Sequence, residues 1–307
     1  MSDTSLALGC MRLFQLSLSE AEQRTLDGIQ HGIHFFDHAD IYGRGESETR
    51  FGQVLQLHPG LRDKIQIQSK CSVQPGYYNL SKNQIIDSVE HSLRRLQTTY
   101  LDSLLLHRPD VLMEPDEIAE AVTKLQADGK IRKFGVSNVT SAGIELLNQA
   151  MPGMVCINQL QFGLGHPYLI TQSLNSTTEK ADINSTGSLL EYCQLKGIQI
   201  QAWSPLRFGA GMNRKLLYGN ECYQHATQCI KRLSEEKGVT PTAIMLAWIA
   251  RHPSHIMSIL GSMNLDHLHQ AYQAMKVNLS RAEWYELYFS VEKRKQSENY
   301  ASYTNSL

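Results

Sequence analysis

Asp37, Tyr42, Lys70 and His107 stand at or just beyond the ends of strand-like apolar runs, and together they carry the groups needed to move a proton at a carbonyl. Ile33-His34-Phe35-Phe36 leads into Asp37, with Tyr42 a short loop further on. Ile65-Gln66-Ile67-Gln68-Ser69 leads into Lys70, and Leu104-Leu105-Leu106 leads into His107. A free phenol ionises near pH 10, too high for easy proton exchange at neutrality. A neighbouring ammonium favours the phenolate and lowers that value. Lys70 would do this for Tyr42, Asp37 would hold Lys70, and His107 would donate a hydrogen bond to the same substrate oxygen. No nucleophile stands beside its own base, so hydrolysis is a poor fit. An aldolase using Lys70 as a Schiff-base amine stays open on these residues alone. Each residue also has a plain structural reading, a packed loop tyrosine or a satisfied core histidine. The joint pattern is what points to chemistry, and it requires that the strands be parallel neighbours.

The rest of the chain supplies such strands. Strand-like runs begin at Leu6, Ile33, Ile65, Leu101, Ile131, Val155, Ile198 and Ile256, and helix-like segments follow them. The helices are expected to start at Ser19 with Glu22 as capping partner, near Glu46, at Ser81 with Gln84 as partner, and at Pro115, Ser141 and Leu189. Two more follow residue 220, the second opened by Thr240 and Pro241. The last two are expected over Leu265 to Lys276 and Ser280 to Lys293, the latter boxed by Ser280 and Glu283. Two polar stretches, Gly163 to Gly187 and Ser204 to Asn220, read as long loops. The strands are near-continuous apolar runs, as in a parallel sheet covered on both faces. Eight strand–helix units in one domain, residues 1–307, indicate an α/β fold of the (β/α)8 TIM-barrel type, whose active site lies at the C-terminal strand ends. A doubly wound open sheet would want a glycine-rich turn after an early strand, and Gly9-Cys10-Met11-Arg12 is not one.

Composition narrows the partners. The chain has 307 residues, 42% hydrophobic and 19% charged, with a formal net charge of −1. That balance argues against a polyanion-binding surface, so no nucleic-acid partner is expected. No apolar stretch is long enough to span a bilayer, and the N-terminus lacks a secretory signal, so a cytoplasmic protein with no membrane partner is expected. The six cysteines form no C-x-x-C pair or metal-finger spacing, which reads as reduced thiols and no metal site.

At the same residues the chain resembles the aldo-keto reductase family. The matching segments are Phe35-Phe36-Asp37-His38-Ala39-Asp40-Ile41-Tyr42-Gly43, Ser69-Lys70, Leu104-Leu105-Leu106-His107-Arg108-Pro109-Asp110, Gly135-Val136-Ser137-Asn138, Asn158-Gln159 and Ala202-Trp203-Ser204-Pro205-Leu206. Asp-His-Ala-Asp-Ile-Tyr with His-Arg-Pro-Asp is similar to the bacterial oxidoreductase branch. The resemblance implies a catalytic tetrad of Asp37, Tyr42, Lys70 and His107, with Tyr42 protonating the carbonyl oxygen as hydride arrives from a nicotinamide. It implies that Ser137, Asn138 and Gln159 bind the carboxamide and that Trp203 stacks on the ring. Gly9, Cys10 and Met11 match the turn beside the nicotinamide ribose, and Ser204, Leu206 and the loop beyond match the pyrophosphate cover. A small-molecule aldehyde or ketone is the implied substrate. The alternative is a nicotinamide-binding redox sensor, since potassium-channel β-subunits resemble this family.

Three departures qualify the match. Only five residues precede the first strand, where the family usually opens with a hairpin that plugs the barrel bottom. After the eighth strand, Gly261 and His267 replace the lysine and arginine usual around an adenosine 2′-phosphate, while Ser262 is kept. Ser262, Asn264, His267 and the helix N-terminus at Leu265 would still supply donors. NADPH with reduced discrimination against NADH is therefore expected. Gln270 and Ala271 replace the usual adenine contacts. Tyr77, Tyr78, Arg108 and Phe208 are candidate pocket walls.

Overall fold

The computed structural model describes residues 5–175, 188–209 and 215–291. Eight parallel strands close into a barrel: β1 (Leu6–Gly9), β2 (Phe35–Asp37), β3 (Gln66–Cys71), β4 (Leu101–Leu106), β5 (Ile131–Ser137), β6 (Val155–Gln161), β7 (Gln199–Trp203) and β8 (Met257–Leu260). Each pairs with its sequence neighbours, and β1 closes the ring against β8. The helices are α1 (Leu18–Gln30), α2 (Glu46–Leu57), α3 (Lys82–Leu96), α4 (Pro115–Ala127), α5 (Ser141–Ala150), α6 (Tyr168–Asn175), α7 (Leu189–Lys196), α8 (Gln224–Lys237), α9 (Pro241–Ala250), α10 (Leu265–Tyr272) and a last one over 281–291. The expected (β/α)8 barrel is therefore the fold.

Several expected boundaries move, each for a local reason. Ser17 caps α1, not Ser19: its side chain accepts from the Glu20 N–H, while Glu20 accepts from the Ser17 N–H at 2.8 Å. The sequence holds two overlapping S-x-x-E boxes, and the earlier register leaves Glu22 to bond His58 Nε2 at 2.6 Å. Ser81 precedes α3 without a side-chain cap, and Gln84 donates to Ser88 instead. The helix expected over Leu265 to Lys276 tightens after Tyr272 into a 3-10 turn, Gln273–Lys276. The first polar stretch contains α6 (residues 176–187 lie outside the described region), and the second contains a hairpin of Arg207–Phe208 with Lys215–Leu216. The box at Ser280 and Glu283 forms as expected.

Register decides what fills the barrel. Side chains alternate along a strand, so Phe35 shares the Asp37 face of β2. Phe35 joins Ala7, Met257 and Ile259 in a small buried apolar cluster separate from the main core. One layer further toward the strand ends, Asp37 pairs with Gln68 and Gln68 with Ser103, while Ser137 pairs with Gln159 and Gln159 with Gln201. A polar layer thus sits on an apolar one. The main core fills the space between barrel and helices. Its largest buried member, Trp248 on α9, stacks on Trp284 at 5.0 Å, and each indole N–H donates to the other's backbone oxygen, at 3.1 and 2.9 Å. That exchange removes the cost of burying two indole N–H groups and ties the last helix to α9.

Candidate active site

Lys70 stands one residue before the end of β3 with its side chain inside the barrel, 1% exposed. An ammonium there is costly unless all three of its protons are bonded. They are: Nζ lies 2.7 Å from the Asp37 carboxylate, donates to the His38 backbone oxygen at 2.7 Å, and donates to Tyr42 Oη at 3.2 Å. The chain after β2 is shaped to deliver the last two. His38 N–H donates to Gln68 O and Asp40 N–H to Lys70 O, stitching residues 38–40 to β3. A short 3-10 turn, Tyr42–Gly45, then reverses the chain through left-handed backbone at Gly43 (φ 59°), Arg44 (φ 56°) and Gly45 (φ 92°). An alanine Cβ at Gly43 would run into the Phe14 ring, so this turn favours glycine twice over. The turn carries the phenol back over Lys70, whose Nζ lies 5.0 Å from the centre of its ring.

His107 completes the group. It follows β4, its N–H donates to Cys71 O at 2.8 Å, and its ring stands edge-on to Tyr42 at 5.8 Å and 85°. Burial, then Lys70 and Arg108, push its value well below the usual imidazole range. His107 is therefore neutral at physiological pH and offers one N–H, not a charge. The four residues read from the sequence as a tetrad are brought together in the structure.

The electrostatics differ from the expectation in one respect. Burial raises the Tyr42 phenol above its ordinary value, and Lys70 offsets only part of that rise. The ammonium does not win outright because burial outweighs it, and Asp37 beside it further opposes its effect on the phenol. Burial alone would lower Lys70, but Asp37 and Tyr42 raise it above the ordinary lysine value. A lysine held as a triply bonded ammonium is a poor amine nucleophile, which removes the Schiff-base reading left open by the sequence.

Asp37 has its own support, which the sequence reading missed. Its Oδ1 accepts from Gln68 Nε2 at 2.6 Å and from Gln159 Nε2 at 3.0 Å. Gln68 and Gln201 exchange amide bonds at 2.8 and 3.1 Å, Gln159 donates to Gln201 at 2.9 Å, and Ser103 donates to Gln68 at 3.0 Å. The available signal was alternation: Gln66-x-Gln68 and Gln199-x-Gln201 put glutamines inside otherwise apolar strands.

The candidate cofactor residues fall into two groups. Ser137, Asn138, Gln159 and Trp203 form one chain: Ser137 Oγ donates to Gln159 O at 2.9 Å, Asn138 Nδ2 to Ser137 Oγ at 2.8 Å, and Trp203 Nε1 to Asn138 Oδ1 at 3.0 Å. Gln159 joins this chain to Asp37. Around the strand ends, Gly9 lets β1 approach β8, since a Cβ there would press on Ile259 and the Leu260 oxygen. Cys10 is fully buried, Met11 is exposed, Ser204 takes left-handed backbone (φ 53°), and Leu206 packs on the core. At the other end, Asn264 caps α10 and accepts from His267 N–H at 3.3 Å, and Ser262 Oγ lies 3.3 Å from His267 Nδ1. The side chains expected to serve a phosphate are thus bonded to one another. Arg12, which the sequence reading passed over, donates from Nη1 to Gly261 O at 2.7 Å and lies 3.4 Å from where a Cβ at Gly261 would stand. Of the candidate pocket walls, Tyr77 and Tyr78 form an exposed hairpin strand, Arg108 is half-buried, and Phe208 stands edge-on to Tyr223.

The family model for "Aldo/keto reductase family" matches residues 5–288. The chain belongs to the aldo/keto reductase family. It is similar to the uncharacterized oxidoreductase YcsN of Bacillus subtilis, at 34% identity over 92% of this chain and 93% of that one. It is similar to a 6-dehydroglucose reductase of Agrobacterium fabrum, at 36% identity over 85% and 84% of the two chains. Among solved structures, an aldo-keto reductase from Klebsiella pneumoniae in complex with NADPH superposes with a TM-score of 0.73 at 29% identity, covering 92% of this chain and 89% of that one. The expected likeness to bacterial oxidoreductases is therefore found. No helix among the described residues is long and apolar enough to cross a membrane.

One acid beside the aldo/keto reductase tetrad is set by burial. Asp40 is pushed up to about 6 by burial and then by Glu48, with a 3.2 Å bond from Ser88 offsetting part of the rise. An acid whose folded value is raised binds its proton more tightly in the fold. Its contribution is present below about pH 4 and is lost as pH rises through the folded value. Asp40→Asn is expected to stabilise the protein at about pH 7 by up to roughly 2 kcal/mol and to change little at about pH 4. Denaturant unfolding at both pH values checks this, and an equal effect at both would contradict it.

Proposed function

We propose that this chain is an NADPH-dependent carbonyl reductase, a single catalytic domain over residues 1–307, in which Tyr42 protonates the oxygen of an aldehyde or ketone. The observation that carries the reading is the bonded series Asp37–Lys70–Tyr42 with neutral His107 against the Tyr42 ring. Family membership and the NADPH held by the Klebsiella relative support the cofactor. The donor set fits a nicotinamide: Ser137, Asn138 and Gln159 offer amide and hydroxyl groups beside Asp37, with the Trp203 indole fixed by Asn138. The reduced nicotinamide, when bound, supplies hydride to the carbonyl carbon.

The chain's own residues handle the charge that appears on oxygen. His107 donates its N–H to the carbonyl oxygen and orients it. Tyr42 Oη delivers the proton. As the phenol loses it, the 3.2 Å bond from Lys70 meets the negative charge left on Oη. Asp37 and the glutamines hold Lys70 in line during that change. A phenol raised by burial is fully protonated at neutral pH, which is the form a proton donor must have. Tyr42→Phe is expected to lower kcat by about 10²–10⁴-fold while NADPH still quenches tryptophan fluorescence. Retained turnover of every aldehyde, ketone and sugar aldehyde tried would end the assignment of Tyr42.

Arg12 is the cation we assign to the phosphate end. Gly261 leaves open the space that a longer side chain would fill, and the Arg12 guanidinium reaches it from the β1 turn. A charge-assisted bond to phosphate is worth about 1.5–3 kcal/mol. Arg12→Ala is therefore expected to weaken NADPH binding about 10–100-fold more than NADH binding, measured by fluorescence titration. Equal losses for the two would place Arg12 on the pyrophosphate they share and refute the 2′-phosphate role.

A further inference from the structure

Building on the nicotinamide-dependent reading above, we propose that Gln201 is a positioning residue for the cofactor. It fixes which end of the Gln159 side-chain amide is presented to the nicotinamide, so that the site reads the carboxamide by its NH2 group. Gln201 lies on β7, is fully buried, and bonds none of Asp37, Tyr42, Lys70 and His107. It acts through Gln159, its register partner on β6.

A glutamine amide has a donor end and an acceptor end of nearly equal shape, so its neighbours decide which way it faces. Here the decision starts at Asp37. A carboxylate paired with an ammonium can only accept, so the Nε2 ends of Gln68 and Gln159 both face its Oδ1, at 2.6 and 3.0 Å. Each has one N–H left, and both go to the same atom, Gln201 Oε1, at 2.8 and 2.9 Å. Gln201 is held in that sense by its own Nε2, which donates to Gln68 Oε1 at 3.1 Å. Ser103 Oγ donates to the same Gln68 oxygen at 3.0 Å, so Gln68 is held as well. A reversed Gln201 would set its NH2 against two N–H groups. The network therefore has one consistent direction, and it spends both protons of Gln159 Nε2. What Gln159 has left is Oε1, to which no described residue donates.

The same strand sets a second amide in the opposite sense. Trp203 stands two residues on from Gln201, on the same face of β7, and an indole can only donate. Its Nε1 claims Asn138 Oδ1 at 3.0 Å, which leaves Asn138 its Nδ2, one proton of which goes to Ser137 Oγ at 2.8 Å. Gln159 thus keeps an acceptor and Asn138 keeps a donor. That pair complements a primary carboxamide, which carries an NH2 and a carbonyl oxygen. An acetyl group in the same place keeps the oxygen but has no N–H, and would leave Gln159 Oε1 unmet.

The test is calorimetric binding to the full-length protein, without turnover, of NADPH and of its reduced 3-acetylpyridine analogue, in which a methyl replaces the amino group. Wild type is expected to bind NADPH about 3–10-fold more tightly than the analogue. Gln201→Met fills the same space but cannot accept, which frees the Gln159 amide to turn. It is expected to bring the two affinities within about 2-fold, chiefly by weakening NADPH. Gln201→Glu is tested at about pH 5, where a buried carboxyl keeps its proton. It still accepts from both amides and donates to Gln68 Oε1, and is expected to keep the preference. A wild type that binds both cofactors equally, a folded Gln201→Met that keeps the wild-type preference, or a Gln201→Glu that loses it would overturn the role of Gln201 and leave the NADPH-dependent reductase standing. A wild type that binds no NADPH would overturn that reading, and the role of Gln201 with it.

Discussion

A single ammonium group organises the centre of this barrel. Lys70 Nζ is shut off from solvent, and a lone buried ammonium would cost several kcal/mol. Its three protons instead meet a carboxylate, a backbone oxygen and a phenol. Each acceptor then needs a fixed position of its own. Asp37 gets it from two glutamine amides, His38 O from a loop stitched to β3, and Tyr42 from a turn with glycine at two of its three left-handed positions. Removing one partner would strand a buried charge. The arrangement therefore fixes geometry more than it adds stability.

The same constraint explains why the barrel interior is layered. Below Asp37, Phe35 and its neighbours form a dry cluster. At the level of Asp37, Gln68, Gln159, Gln201 and Ser103 satisfy one another around the carboxylate. Polar networks in a low-dielectric interior are tolerable only when satisfied, and this one is joined to the hydroxyl–amide–indole chain of Ser137, Asn138 and Trp203. In the function proposed above, proton delivery and cofactor positioning are thereby parts of one hydrogen-bonded body. A disturbance at Gln159 would reach both.

Much of this was legible before any coordinates. Asp37, Tyr42, Lys70 and His107 stood out because polar groups at the ends of apolar strands need a reason, and the eight strand–helix units supplied the parallel neighbours. What remained hidden depended on distant pairing. Gln68 and Gln201 are 133 positions apart, and only barrel closure makes their amides exchange bonds. Arg12 meets Gly261 across 249 positions for the same reason. The α1 cap failed differently: two overlapping boxes were equally good locally, and the His58–Glu22 contact chose between them. The direction of the Tyr42 shift was misread because a spacing shows the ammonium but not the depth of burial that outweighs it.

Burial outweighs the neighbouring ammonium at Tyr42, and a phenolate titration measures that balance. Difference absorbance between wild type and Tyr42→Phe, followed with pH in the free protein, isolates this one phenol. The phenol is expected to stay protonated below about pH 10, and Lys70→Met is expected to push its ionisation higher still. A phenolate appearing at about pH 7–8, well below the ordinary tyrosine value, would contradict it and return the ammonium to control of the site.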